Sequence, residues 1–169
     1  MADLGVRLYA ASLMGLAVWL LRHDLARRTV HQAGLTRFIA VCLLAGYGWL
    51  ALGGLLGMAG ALAPGHPWRD SALHAVFLGF VFSMILGHAP IILPAVARVR
   101  IPYHAVLYLP LAALHLSMAA RGAGGLLGLP ALQQAGGIAN AVALLLFVLT
   151  TVGLIARGRS TPPRTASPT

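Results

Sequence analysis

The chain has 169 residues, of which 59% are hydrophobic and 9% are charged, a composition that a water-soluble domain of this length does not tolerate. It predicts an all-α integral membrane protein. The net charge of +9 comes from arginines between apolar runs, where basic residues orient helices, so a nucleic-acid partner is not indicated. The one cysteine, Cys42, excludes an internal disulfide.

Five apolar runs are long enough to cross a bilayer, the first only barely. They predict helices near residues 5–21, 38–63, 72–97, 103–120 and 135–156, which form one transmembrane domain over 1–157. The Gly-rich stretch 121–131 predicts a loop. The Ser/Thr/Pro-rich residues 158–169 predict a disordered cytoplasmic tail. Prolines predict breaks or kinks at Pro90, Pro94 and Pro110.

Arginines are distributed unequally between the two sides of this layout. The 22–37 loop, the 98–100 link and the tail hold nine of them, against Arg7, Arg69 and Arg121 on the other side. Because basic residues favour the cytoplasmic side, we expect the N-terminus outside and the C-terminus inside.

Small residues form stripes on two of the predicted helices. The stripes are Gly53, Gly57 and Gly60 on the second helix, and Gly79, Ser83 and Gly87 on the third. Such spacing lets another helix approach closely, within the chain, in a second copy or in a larger complex. The opposite side of the third helix displays an apolar wall with two imidazoles: His74, Phe77, Val81, Ile85 and His88.

Four histidines within apolar helices are the main candidates for a site, because polar rings in hydrocarbon are usually functional. On an ideal helix His74 and His88 fall within roughly 40° of each other, about 21 Å apart in rise. His104 and His115 fall within about 20°, about 16 Å apart. Antiparallel packing would pair His74 with His115 toward the outer face, and His88 with His104 toward the cytoplasmic face. This pattern predicts a haem or metal site.

Two methionines lie within reach of these rings: Met84 is four residues before His88, and Met118 is three after His115. Thioethers suit haem iron or Cu(I), so both are second-tier ligand candidates. The spans contain no phosphate loop, nucleophile elbow or cysteine pair, and no internal acid of the kind that a proton- or cation-driven pump uses.

The segment Gly46-Tyr47-Gly48-Trp49, followed by the uncharged run from His74-Ala75 to Gly87, resembles the C-terminal portion of the NnrS family over roughly residues 36–155. That family comprises polytopic bacterial membrane proteins that contain haem and copper and are linked to nitric oxide and nitrosative stress. His74 matches the histidine at the start of the family's His-Ala-Leu helix. The resemblance implies a bacterial-type inner (cytoplasmic) membrane location.

Three functions remain open at this point. The first is a haem protein with imidazole ligands from the third and fourth helices, His74 and His115 being the favoured pair, in electron transfer with a redox partner or in nitric oxide handling. The second is copper transport or delivery through His88, His104, Met84 and Met118. The third is a cofactor-free subunit that docks a complex, or a second copy, through its glycine stripes.

Overall fold

Five long helices make up most of the computed structural model, which describes residues 2–160 and the side chains of residues 4–158. That part of the chain contains no strand. One helical turn, Ala26–Thr29, follows the first long helix, and a 3₁₀ turn, Ala105–Leu107, precedes the fourth. The long helices are α1 Ala2–His23, α2 Gly34–Met58, α3 Arg69–Ala97, α4 Tyr108–Leu126 and α5 Pro130–Ser160.

Each long helix, the fourth together with the 3₁₀ turn before it, provides a segment that is long and apolar enough to cross a membrane. Within the described residues there are five such segments, of 20 to 29 residues, and a helix needs about 20 mostly apolar residues to span. The predicted all-α class and the number of candidate spans are therefore confirmed. The predicted tail, 158–169, lies outside the described residues beyond Ser160, where the description of α5 ends.

Neighbouring helices run antiparallel. Ala10, near the start of α1, lies beside Gly57, near the end of α2, and Gln133 at the start of α5 lies beside Gly124 at the end of α4. The chain therefore passes back and forth between two ends. We call the end formed by residues 24–33, 98–104 and 157–160 the arginine-rich end, and the end formed by residues 59–68 and 127–129 the arginine-poor end.

The glycine stripes pack inside the chain. A Cβ added at Gly54 would lie 2.8 Å from the Met14 backbone nitrogen of α1, and one at Gly79 would overlap the Trp49 ring of α2. Gly87 faces Cys42 in the same way. The small residues thus bring α1, α2 and α3 into close contact, as small-residue faces do in membranes.

The larger core cluster lies mainly between α2, α3 and α4. Phe38 and Tyr108 meet edge to face at 5.2 Å between ring centroids, which joins the starts of α2 and α4. Within the described residues this cluster comprises Phe38, Cys42, Leu86, Leu107, Leu111, Leu114, Met118, Ala143 and Leu154. The outer surface is largely apolar, with side chains such as Leu16, Phe77 and Leu145 exposed.

The predicted loop at 121–131 is mostly helical. Helix α4 continues to Leu126, and α5 begins at Pro130. The glycines here are packing residues, because Cβ atoms at Gly124 and Gly136 would meet the backbones of Gln133 and Arg121 respectively. The glycine content of this stretch suggested a loop, but the positions of the glycines allow α4 and α5 to touch.

Helix α2 ends earlier than the predicted residue 63. Its last residue is Met58, and Gly60 has a φ of +94°. The Ala61 N–H donates to the Leu56 carbonyl over 2.9 Å, the bond expected where a glycine in the left-handed region closes a helix. Gly60 therefore terminates α2 and does not extend its packing stripe.

The prolines have less effect than expected. Helix α3 is continuous to Ala97 through Pro90 and Pro94. Pro110 lies in the first turn of α4, where a missing N–H costs no intrahelical hydrogen bond. The predicted break after His88 and the kink at Pro110 are therefore corrected, while kinks at Pro90 and Pro94 stay predictions.

A π-helical segment, Ala75–Val81, interrupts the α-helical geometry of α3. Its hydrogen bonds span five residues, so a turn holds more residues than in an α-helix. The 100° step that aligned His74 with His88 does not apply across this segment. Phe77, Val81 and Ile85 of the predicted wall are exposed on the bundle surface.

Candidate functional site

A polar cluster joins three helices at the arginine-poor end. Arg121 of α4 donates two hydrogen bonds to the Asp70 carboxylate of α3, Nε to Oδ2 over 3.1 Å and the second guanidinium nitrogen to Oδ1 over 2.9 Å. Gln133 of α5 donates to Oδ2 over 3.0 Å. Paired in this way, the carboxylate clamps the starts of α3 and α5 to the end of α4.

His74 belongs to this cluster. Its Nδ1 lies 2.8 Å from the Asp70 carbonyl oxygen and 3.2 Å from the Asp70 carboxylate. Both of these oxygens are acceptors, so Nδ1 carries the proton and Nε2 has a free lone pair. Metal-binding histidines have this arrangement, in which an acceptor behind the ring fixes the tautomer.

His115 has the opposite arrangement. Trp49 of α2 donates its indole N–H to His115 Nδ1 over 2.8 Å, and the two rings are nearly parallel, with an interplanar angle of 7°. Because Nδ1 accepts, the neutral ring carries its proton on Nε2. That nitrogen is buried and has no hydrogen-bond partner. His115 is therefore a buried donor and not a free ligand.

His88 and His104 differ in the same way. His88 Nδ1 lies 2.8 Å from the Met84 carbonyl oxygen, so it donates and leaves the Nε2 lone pair free. His104 is exposed at the N-cap of the 3₁₀ turn, where its Nδ1 accepts from the Val106 N–H over 3.1 Å. Its proton is consequently on Nε2.

The four predicted ligands therefore divide by helix. The α3 histidines, His74 and His88, present lone pairs, whereas His115 of α4 and His104, at the cap of the 3₁₀ turn before α4, present N–H groups. Among the described side chains, no hydrogen bond or ring contact joins two of these four rings. The pairing of His74 with His115, and of His88 with His104, stays a prediction.

His88 lines an apolar groove between α3 and α5 with a volume of about 480 Å³. Small-molecule sites have volumes of about 300–1,000 Å³, so the groove is of that size. Thr151 also lines it, and the Thr151 hydroxyl is buried without a partner. The other lining residues are Ile85, Ala89, Ile92, Leu93, Phe147, Val148, Val152 and Ile155.

The two methionines lie in packed surroundings. The Met84 methyl group rests against Gly46 of α2, and Met118 is a core residue with 1% exposure. In the part of the chain that the structure describes, no group of three or more His, Cys, Asp or Glu side chains is arranged to hold a metal ion.

Sequence reasoning missed two of these interactions. The residue pattern did not single out Trp49 as a partner of His115 or Asp70 as a partner of Arg121. The chain has only three acidic residues for twelve basic ones, so the available sequence signal was that Asp70 pairs with a basic side chain. No sequence signal links Trp49 to His115, 66 positions away.

The fold and the groove define a class: an all-helical chain whose long helices are apolar enough to span a membrane, with an imidazole in an apolar groove. Residues 1–156 match the family model described as "Domain of unknown function (DUF8744)". The chain belongs to this family. No curated protein and no solved structure matches it.

Proposed function

We propose that this is a multi-pass protein of a bacterial-type inner membrane, N-terminus outside and C-terminus cytoplasmic, that binds haem through His88. One observation carries the proposal. His88 donates its Nδ1 proton to the Met84 carbonyl, which leaves the Nε2 lone pair free, and the His88 side chain lines the α3–α5 groove.

The lining of the α3–α5 groove suits haem. Its walls are almost entirely aliphatic or aromatic, as an iron porphyrin requires. Thr151 also lines the groove, and its buried hydroxyl has no partner within the described residues. Helices α3 and α5 frame this space without packing closely against each other, so a flat molecule can enter between them.

Haem would supply one-electron exchange or the binding of a small diatomic molecule such as nitric oxide, in line with the resemblance to the NnrS family. The chain's own residues hold and shield the group. The Met84 carbonyl fixes the tautomer and rotation of His88, and the apolar walls exclude water.

A second imidazole ligand from the fourth predicted helix would require an existing hydrogen bond to break. His115 would have to give up the Trp49 hydrogen bond, and His104 its cap to Val106, before either could offer a lone pair at Nε2. His74 has a lone pair, but no described contact links it to His88. We therefore propose that His88 alone would hold the haem, in place of the His74/His115 pair.

The test is the pigment spectrum of the purified full-length protein, expressed with added haem. We expect a Soret band typical of high-spin haem. We expect His88→Ala to reduce the haem content at least about tenfold, because the only axial bond is lost. His104→Ala, at an exposed position before α4 and outside the groove, is the matched control and should retain the band.

Three results would overturn the proposal. A colourless protein would exclude haem, and metal analysis of the same sample would then test the copper alternative. A low-spin spectrum would require a second strong-field ligand. A band that survives His88→Ala but disappears in His74→Ala and His115→Ala would establish the other pair as the ligands.

A further inference from the structure

A cationic cavity lies at the arginine-rich end, where α1 turns toward α2. Its volume is about 470 Å³. Six consecutive or nearly consecutive residues line it: Arg22, His23, Asp24, Leu25, Arg27 and Arg28. We call it the α1-end cavity. It is separate from the α3–α5 groove and does not depend on the haem proposal.

The single acidic group of this cavity is already engaged by the protein. Asp24 Oδ1 accepts the Ala26 N–H over 2.6 Å, and Oδ2 accepts the Tyr47 hydroxyl over 2.8 Å. These bonds anchor the turn to α2, with Ala26 buried beneath it. Asp24 therefore holds the cavity in shape and does not neutralise its arginines by direct pairing.

The three arginines of the cavity are exposed. Within the described part of the chain, the guanidinium groups of Arg22, Arg27 and Arg28 form no hydrogen bond or ion pair with another residue. Three guanidinium groups and one carboxylate leave two net positive charges around one concave space. Guanidinium groups bind phosphate through paired N–H donors, so an anion of this kind is the matching ligand.

The rim of the cavity is apolar. Trp19 is 57% exposed and stacks on His23 with 5.5 Å between ring centroids, and Leu25 is 68% exposed. Tryptophan is enriched at the membrane–water boundary. Trp19 lies about one helical turn before the charged residues that line the cavity. A ligand that fits both parts has a phosphate for the arginines and hydrocarbon to lie along α1.

We infer that the α1-end cavity binds the headgroup phosphate of an anionic phospholipid. Free inorganic phosphate shares the charge but would leave Trp19 and Leu25 uncovered. A lipid headgroup satisfies the arginines and the apolar rim together. The exposed outer surface of α1, with Leu16 one helical turn before Trp19 on the same side, supplies the track for an acyl chain.

The experiment measures lipid retention by native mass spectrometry of the full-length protein in detergent. Separate samples receive phosphatidylglycerol, phosphatidylcholine or inorganic phosphate. We expect preferential retention of phosphatidylglycerol. In the triple variant Arg22→Gln/Arg27→Gln/Arg28→Gln its apparent affinity should fall on the order of 100-fold, at about fivefold per arginine.

The matched control is Arg37→Gln/Arg98→Gln/Arg100→Gln, which removes three exposed charges from the same end but outside the cavity. It should change the affinity by less than about threefold. Equal losses of lipid affinity in both triple variants would show that the effect depends only on net charge, and would overturn the inference. So would equal retention of the two lipids, or binding of inorganic phosphate as tight as that of the lipid. Unchanged circular dichroism in both variants checks that folding is intact.

Discussion

At the scale of single residues, the hydrogen bond behind each imidazole decides what the ring can do. A backbone carbonyl accepts from His88 Nδ1, so its Nε2 offers electrons. An indole N–H donates to His115 Nδ1, so its Nε2 offers a proton. Two histidines in equally apolar helices thereby acquire opposite chemistry.

Nitrogen NMR of isotopically labelled histidine tests this assignment directly. We expect the proton on Nε2 in His115 and on Nδ1 in His88. Replacing Trp49 with Phe removes the donor to His115 and should lower the free energy of unfolding by about 1–3 kcal/mol. Trp19→Phe, at an exposed position, should change it by less than about 0.5 kcal/mol. A proton on Nδ1 of His115 in the parent protein would refute the assignment.

The Asp70–Arg121 pair is a second test at this scale. The side chains are 34% and 21% exposed, so solvent screens the pair only in part. Asp70→Asn and Arg121→Gln should each destabilise the fold by about 1–3 kcal/mol. The double variant should lose less stability than the sum of the two single losses. Thermal unfolding in detergent should give a coupling free energy of about 0.5–2 kcal/mol. Additive losses would show that the pair does not act as a clamp.

At the scale of helices, glycine positions govern which helices can touch. Gly79 of α3 lies against the Trp49 ring, and Gly136 of α5 lies against the Arg121 backbone. The surfaces once considered for docking another protein are thus occupied by neighbouring helices of the same chain. The close approach of α2 and α3 also positions Trp49 for its bond to His115.

Gly79→Leu should therefore disrupt the bundle itself. Its side chain would overlap the Trp49 ring, and we expect a loss of about 3 kcal/mol or more, as severe overpacking causes. Gly48→Leu is the matched control on α2, since no atom lies within 4 Å of an added Cβ there. It should be neutral or stabilise the helix by about 0.5–1 kcal/mol. Similar melting temperatures for both variants would contradict the packing.

At the scale of the whole molecule, the antiparallel helices place arginines at one end. That asymmetry carries the proposed orientation, with the arginine-rich end in the cytoplasm. The α1-end cavity lies at the same end, so it would face the headgroups of the inner leaflet.

Cysteine labelling of intact cells tests the orientation. Cys42 is buried and serves as a silent background. Pro67→Cys, in the exposed link between α2 and α3, should react with a membrane-impermeant maleimide from outside. Gln32→Cys, exposed at the other end, should react only after the cells are opened. The reverse pattern would invert the proposed orientation.

Much of the architecture followed from the amino-acid sequence. Five apolar runs of spanning length predict five helices, because backbone groups in hydrocarbon must bond to one another and a helix pairs them within one segment. Helix ends were less predictable. The glycines at 121–131 suggested a loop, and Pro110 suggested a kink, since composition does not say whether a glycine faces another helix or which turn holds a proline.

The sequence by itself determined the helical class and which residues are polar rings within apolar runs. Only the tertiary structure decided which ring nitrogen of each histidine is free. That depends on partners distant along the chain, such as Trp49 for His115, and on the π-helical segment that changes the phase of His88 relative to His74. Hydrogen bonds between helices are set by rotation and register, which a pattern of hydrophobic residues along one helix does not encode.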